Sequence, residues 1–444
     1  QRNNKMGELL SLAIALIAGL MMTRIFKKLH LNFPDVTAFL IAGLLVGPYC
    51  LGALGIEGFG FNTFEDVKSV EVVSTVALGF IAFSIGNEFK LSQLKGIGKQ
   101  AVVVGILQAV TAMVCVDIVL IIFSILAGSG TLNTSSAITL GAIATATAPA
   151  ATLMVVKQYK AHGKLTDLLL PVVALDDAVG LVAFAVSFGI AQALLSSSIS
   201  FIAVIVNPLI EIVSSIVLGS VLGIVLSKLE ELFYSNSNRT ALSLGFVLMT
   251  IALSQLRFEF GAFKISFSSL LVCMMLGTML CNLCPRSGDI MKRTEQWTVP
   301  LFCLFFVISG ADLDLSVFSN PLVILIGVLY IIARSFGKYY GSRMSCAMVG
   351  CDENTTKYLG YALLPQAGVA LGMCTQAVTL GTYEGKLIRN IVLFGVLIYE
   401  LAGPMITKWA LTKSGDIKEK PQEKDNHERF NTPKHYRVPT GGSH

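Results

Sequence analysis

Two adjacent aspartates, Asp176 and Asp177, stand inside the apolar run LLLPVVALDDAVGLVAFAVSFG. Carboxylates are costly to hold away from water, so the doublet demands a cation, a proton or a water-filled cavity. Counted from Leu168, Asp176 lies roughly 12 Å along a helix rising 1.5 Å per residue, close to the midplane of a ~30 Å hydrocarbon layer. Like charges this close do not ionise with equal ease, which prepares a site to trade a proton for a cation. Carboxylate oxygens also suit small hard cations such as Na+. A salt-bridged structural pair is the plainer reading of the same doublet.

Two prolines interrupt apolar runs in the same manner. TATAPAAT (145–152) sets Pro149 among Thr145, Thr147 and Thr152, and LLPQAGVALG (363–372) sets Pro365 and Gln366 beside Gly368 and Gly372. Proline removes a backbone donor and disfavours helix in the residue before it, so each run unwinds near its middle. Unwound backbone at membrane depth survives only where it lines a cavity or is buried in protein. The hydroxyls of Thr147 and Thr152, with carbonyls near Thr147 and Ala148, offer ligand oxygens within reach of the doublet. A threonine that bonds its own backbone and a proline that merely kinks its helix are the alternatives. Half-helix ends bring partial charges too: the aspartates answer the positive ends, and a polar or cationic group the negative ones.

Three further residues are candidates for charge compensation. Arg334 lies thirteen residues beyond Pro321 in PLVILIGVLYIIARSFGKYYG, about 20 Å by helical rise, still within the hydrocarbon layer. It therefore needs a buried anionic partner, for which Glu400 in VLIYELAGP and Asp177 are candidates. Lys338, one turn on, is expected near the interface, where a long stem reaches polar headgroups. Asp117 is a lone acid suited either to a pathway or to packing.

The elements that must carry these residues are membrane-spanning helices. The chain has 444 residues, of which 54% are apolar and only 14% charged, and a mean hydropathy of +0.72. So little charge cannot cover a water-soluble fold of this size, which argues against soluble enzymes, disordered chains and nucleic-acid binders despite a net charge of +5. The nine cysteines form neither a disulfide framework nor a metal-binding spacing. No HExxH, GxSxG or P-loop argues for an enzyme. A window of about 20 residues yields thirteen candidate spans: 7–27, 34–54, 70–88, 98–127, 135–156, 165–194, 201–227, 240–257, 265–284, 297–311, 320–345, 357–380 and 387–411.

Lysine and arginine crowd alternate loops, at Arg24, Lys27 and Lys28, then Lys90, Lys95 and Lys99, then Lys157, Lys160 and Lys164, and so on to Arg343 and Lys357. The positive-inside rule makes that side cytoplasmic, with the N-terminus outside and the C-terminus inside. The polar segment 413–444 is expected to be a disordered cytoplasmic tail. The broken fifth and twelfth spans then run in opposite senses, seven spans apart. This is the pattern of two inverted-topology halves whose interrupted helices meet at a transporter's binding site.

TATAPAAT followed by ALDDAVGL (174–181), LFCLFFVISGADLDL (301–315), IARSFGKYYGSR (332–343) and LLPQAGVALG resembles the monovalent cation:proton antiporter-2 family. The resemblance covers residues 6–412. It implies an all-α integral membrane fold of thirteen helices with crossed broken helices. A mobile core (spans about 98–194 and 320–411) would work beside a dimerisation scaffold (about 7–88 and 201–311). It further implies a homodimer in the inner (plasma) membrane, serving pH homeostasis without a cofactor. Its activity would be exchange of Na+, Li+ or K+ for H+ by alternating access, with Asp177 the principal ion-binding residue and Asp176 its partner. Electrogenic members of the family carry a lysine on the eleventh span, where this chain is expected to place Arg334. Arginine keeps its proton, which leaves electroneutral exchange open. If only positive charge matters there, Arg334→Lys keeps substantial activity. An organic-anion or bile-acid-type sodium symporter on a similar scaffold is the alternative function.

On this reading Asp177→Asn yields a folded protein without cation-dependent proton movement in proteoliposomes. Retention of more than a small fraction of wild-type flux would remove Asp177 from the site.

Overall fold

A computed structural model describes residues 2–418 apart from 30, 32, 57, 88–90, 129–130, 196–205, 261–262, 367–369, 371–372, 375–376 and 378–381. Among the described residues the chain is helical almost throughout, with strands confined to the hairpin Phe258–Phe260/Phe263–Ile265. The helices are α1 (Arg2–Lys28), α2 (Asp35–Val46), α3 (Phe64–Ser69), α4 (Glu71–Asn87), α5 (Leu91–Ala127), α6 (Thr134–Ile143), α7 (Pro149–Tyr159) and α8 (Lys164–Leu195). They continue with α9 (Asn207–Glu230), α10 (Asn236–Ser254), α11 (Ser269–Leu283), α12 (Ser287–Ala311), α13 (Pro321–Met348), α14 (Glu353–Ala362) and α15 (Thr382–Ser414). Among the described residues, six helical stretches are each long and apolar enough to cross a bilayer: Met6–Lys28, Gly98–Ala127, Leu209–Glu230, Ser287–Ser319, Pro321–Met348 and Tyr383–Ser414. Shorter apolar helices, among them α2, α4, α6 and α11, fill the space between. The surface left outside is itself apolar, with Leu9, Ile118, Val213 and Ile332 more than half exposed, as lipid-facing helices require.

The fifth predicted span is two helices. α6 ends at Ile143, and α7 begins at Pro149, whose missing donor costs nothing at a first helical position. The twelfth is broken likewise: α14 ends at Ala362 and Leu364–Gln366 is non-helical. The two breaks touch, because the Ala148 amide donates to Pro365 O at 2.8 Å. The segment 413–444 is helical to Ser414 and described to residue 418. The remainder of the expected disordered tail lies outside the described residues.

Packing sorts the helices into two groups. α5, α6, α8, α13, α14 and α15 pack on one another around the crossing, while α1, α2, α4, α9, α10, α11 and α12 pack mainly among themselves. Within the first group, α5 and α13 make the most extensive contact. Small residues set that approach. A Cβ on Gly337 would lie 2.5 Å from Ala112 Cα, and one on Gly341 would lie 2.9 Å from Gln108 Cα. Close backbone approach through small residues is how helices associate without a hydrophobic driving force between them.

Gly337→Ala should therefore destabilise the protein by about 1–3 kcal/mol, the usual range for overpacking against backbone. Gly245→Ala on α10, where a Cβ meets nothing within 4 Å, should leave stability unchanged or slightly raised. Thermal unfolding in detergent compares the two; equal behaviour would deny α5–α13 its dependence on glycine.

Candidate functional site

The C-terminal turn of α6 presents carbonyls that no helix continues to satisfy. Four consecutive ones, from residues 143 to 146, each receive a side-chain donor. Gln366 Nε2 donates to Ile143 O at 3.0 Å, and Arg334 Nε to Ala144 O at 3.0 Å. Lys338 Nζ donates to Thr145 O at 2.7 Å, and Arg334 Nη2 to Ala146 O at 2.7 Å. Arg334 Nη1 crosses to the other break and donates to Leu364 O at 2.7 Å, beyond the end of α14. One guanidinium thus ties together both negative half-helix ends. Its face lies over the Tyr399 ring, 4.5 Å from the centroid.

Lys338 continues from these carbonyls to the acid. Its Nζ stands 3.0 Å from Asp176 Oδ2 and 2.9 Å from Thr147 Oγ1. The Thr147 hydroxyl donates to the same Asp176 Oδ2 at 2.5 Å. Gln108 Nε2, from α5, donates to Asp176 Oδ1. Asp176, Lys338, Arg334, Gln108 and Gln366 are all 0% exposed, and Thr147 is 1%. A buried ion pair of this kind holds only because hydrogen bonds satisfy the remaining lone pairs and protons.

The structure thus brings Asp176, Thr147, Lys338, Arg334, Ala148, Pro149, Pro365 and Gln366 to one place. Asp177 follows in α8, and its side chain lies outside the described residues. Thr152 is not brought to Asp176: its hydroxyl donates to Ala148 O at 3.3 Å, one turn back along its own helix. Glu400 does not pair with Arg334. Its Oε2 is buried without a hydrogen-bond partner among the described residues, and it faces a cavity beside the crossing. Asp117 Oδ1 is likewise unpartnered, packed where a Cβ on Gly141 would meet it at 1.8 Å.

Two sequence expectations change. Arg334 does not take Glu400: its described hydrogen bonds go to oriented carbonyls at two helix ends, and its other candidate partner, Asp177, has its side chain outside the described residues. Lys338 is not at an interface. α13 runs on for ten residues beyond it to Met348, so counting an upright helix inward from Pro321 misplaces the membrane centre. Among the described side chains, Lys338 is the α13 cation that hydrogen-bonds Asp176. Gln108, Tyr330 and Tyr399 belong to the site and escape the sequence reading. The Tyr330 hydroxyl accepts from Gln366 Nε2 at 2.8 Å, and the Tyr399 hydroxyl donates to Ile331 O at 2.9 Å. The available signal was periodic, since Tyr330, Arg334 and Lys338 recur every fourth residue on one helix face. A lone glutamine in AVVVGILQAV was the other.

The sequence model of the family described as "Sodium/hydrogen exchanger, transmembrane" matches residues 12–413. Among curated proteins, the chain is 25% identical over 438 residues to the high-affinity Na+/H+ antiporter NhaS3 of Synechocystis, covering 90% of this chain and 89% of that one. It is 22% identical over 395 residues to the ammonium/H+ antiporter subunit AmhT of Alkalihalophilus pseudofirmus, covering 86% and 91%. Among solved structures, an electron-microscopy structure of the sodium proton antiporter MjNhaP1 from Methanocaldococcus jannaschii matches with a TM-score of 0.72. That match has 18% identity and covers 93% of this chain and 98% of that one. A second structure of MjNhaP1, at pH 8, matches with a TM-score of 0.68 at 20% identity, covering 93% and 99%. These likenesses fix the fold, and none of them favours the organic-anion symporter alternative.

The three carbonyls held by one planar fork reverse the expectation for Arg334→Lys. A single ammonium cannot span Ala144, Ala146 and Leu364, so buried acceptors are left open. The variant should lose roughly 2–4 kcal/mol of stability. Thermal unfolding in detergent measures this, and wild-type stability would show that positive charge alone suffices.

Proposed function

Because the chain belongs to the sodium/hydrogen exchanger family and is a monovalent cation:proton antiporter, we propose that it exchanges Na+, Li+ or K+ for H+ at the Asp176–Asp177 doublet, with Lys338 releasing one of the protons. The observation that carries this reading is the fully buried ion pair between Lys338 Nζ and Asp176 Oδ2 at 3.0 Å. Before the cation binds, Asp176 is ionised and paired with the Lys338 ammonium, and Asp177 holds a proton. The arriving cation takes the ammonium's place on the carboxylates. Asp177 and Lys338 each give up a proton to the open side, leaving two carboxylates, one cation and a neutral lysine. A desolvated lysine can lose its proton in this way, whereas arginine cannot. Two protons then move against one monovalent cation, and one net charge crosses per cycle.

Thr147 supports the reading by contacting both partners, so its hydroxyl oxygen is at hand when the ammonium leaves. Gln108 Nε2 donates to Oδ1, which orients the carboxylate without supplying a proton. The helices around the crossing would form the moving core, and α1, α2, α4 and α9–α12 the scaffold through which two copies associate. The chain would sit in the inner (plasma) membrane with its N-terminus outside and its C-terminus in the cytoplasm. The functional complement is then two ions, a lipid bilayer and a second copy, with no cofactor.

Proteoliposomes test the exchange and its charge together. Addition of Na+, Li+ or K+ should drive proton movement, and a valinomycin-imposed potential of the appropriate sign should accelerate it severalfold in wild type. Lys338→Arg keeps the positive charge but cannot release it, and should lose most of that response. Flux indifferent to potential in wild type would reduce the exchange to one proton per cation and remove Lys338 from the proton count.

A further inference from the structure

A cavity of about 110 Å³ lies against the crossing, between the two helix groups. One wall is apolar and comes from α2, α4 and α12, including Leu40, Leu78 and Phe306. The opposite wall is Ala148–Ala151, Pro365, Gln366 and the Leu393–Glu400 face of α15. Two ionisable residues line the cavity. Asp312, just beyond the end of α12, is exposed, and Glu400 is half-buried further in. The Glu400 Oε2 atom is itself buried and accepts no hydrogen bond from any described residue. Arg334 directs three of its donors to Ala144, Ala146 and Leu364 instead.

An orphaned carboxylate oxygen facing a mostly apolar cavity is expensive unless something cationic visits it. The exchange site lies just across the crossing: Ala148, in the cavity wall, is bonded to Pro365 and adjoins Thr147, which contacts Asp176. We propose that Glu400, with Asp312 at the mouth, is a transit station for the exchanged monovalent cation. It serves only the face of the membrane at which α12 ends and α15 begins. The proposal rests on the exchange reading above and adds a second, sided binding step to it. Asp312 draws the cation to the mouth by long-range attraction. Glu400 then offers the cation a carboxylate oxygen in place of part of its water shell. The rest of the wall is mostly apolar and carries no further charge, so the cation passes on to the crossing rather than lodging in the cavity. Cations approaching the doublet from the opposite face never meet either residue.

Sidedness is therefore the readout, because a merely structural defect would affect both faces alike. Vesicles of each orientation are assayed for the apparent KM of whichever of Na+, Li+ or K+ the wild type exchanges, with the cation applied to one face at a time. Glu400→Gln and, separately, Asp312→Asn should each raise KM by roughly threefold or more at the Asp312 face, the scale of losing one partly screened charge. KM at the opposite face should stay at the wild-type value, and Glu400→Asp should recover part of the loss. The Asp312→Asn shift should shrink as ionic strength rises. Unchanged KM at both faces, or an equal rise at both, overturns the proposal while leaving exchange at the doublet intact. Should Glu400→Gln fail to fold, the exposed Asp312→Asn carries the same sided comparison alone. A wild type without cation-driven proton flux would instead overturn the exchange reading on which the station rests.

Discussion

The last turn of α6 leaves its carbonyls pointing into the middle of a protein that sits in lipid, where no water can answer them. Every other feature of the crossing follows from that constraint. A continuous helix would have satisfied those oxygens, and Pro149 forbids one. The donors must therefore come from elsewhere in the chain, and they come chiefly from α13 and from the second break. Gln366, Arg334 and Lys338 together take the four carbonyls of residues 143–146, one after another. The second break has the same need at Leu364, and Arg334 meets it with the remaining arm of its fork. The Ala148–Pro365 backbone bond then closes the gap between the breaks directly. Remove the donors, and the crossing holds bare acceptors in a low-dielectric interior.

This requirement explains why α13 packs so tightly on α5. Tyr330, Arg334 and Lys338 occupy one face at four-residue intervals, each reaching a different level of the crossing. Glycines 337 and 341 lie between and beyond the two cations and allow the α5 backbone to come within contact distance. That approach delivers Gln108 to the far oxygen of Asp176. The acid is thereby enclosed by α5, α6–α7 and α13 before any ion arrives. The price of burying it is lowered by donors that were already required to stabilise broken backbone.

The sequence made the broken helices legible because proline acts locally: Pro149 opens α7 after the break, and Pro365 lies in the non-helical stretch just past α14. The doublet was legible for a similar reason, since a carboxylate in an apolar run admits few explanations. Partner choice was not legible, because it depends on how helices tilt and where they end. Arg334 looked like a residue in search of a carboxylate, but two helix ends offered it negative charge that no side-chain inventory records. Lys338 looked interfacial because α13 was assumed upright and shorter than its 28 residues. Thr152 and Thr147 are equivalent in composition and differ in outcome by position. Thr147 lies in the unwound stretch and is free to face Asp176, whereas Thr152 lies inside α7 and bonds its own backbone.

The two cations on α13 are therefore not alternatives for one role. At 334 the need is permanent, because carbonyl dipoles neither titrate nor leave, and a group that never gives up its proton suits them. Its planar fork also matches three fixed acceptors in a way a single ammonium cannot. At 338 the neighbour is a carboxylate that must change partners if an ion is to bind, so the counter-charge has to be able to withdraw. Lysine can withdraw by losing a proton, without any movement of α13. The Thr145 carbonyl and Thr147 hydroxyl keep its nitrogen in place as a neutral amine, because both can still accept one of its hydrogens. The support of the crossing at Arg334 and the ion pair with Asp176 at Lys338 are thus separated by a single helical turn. One turn holds the charge that the carbonyls need throughout, and the next holds the charge that withdraws in the proposed exchange.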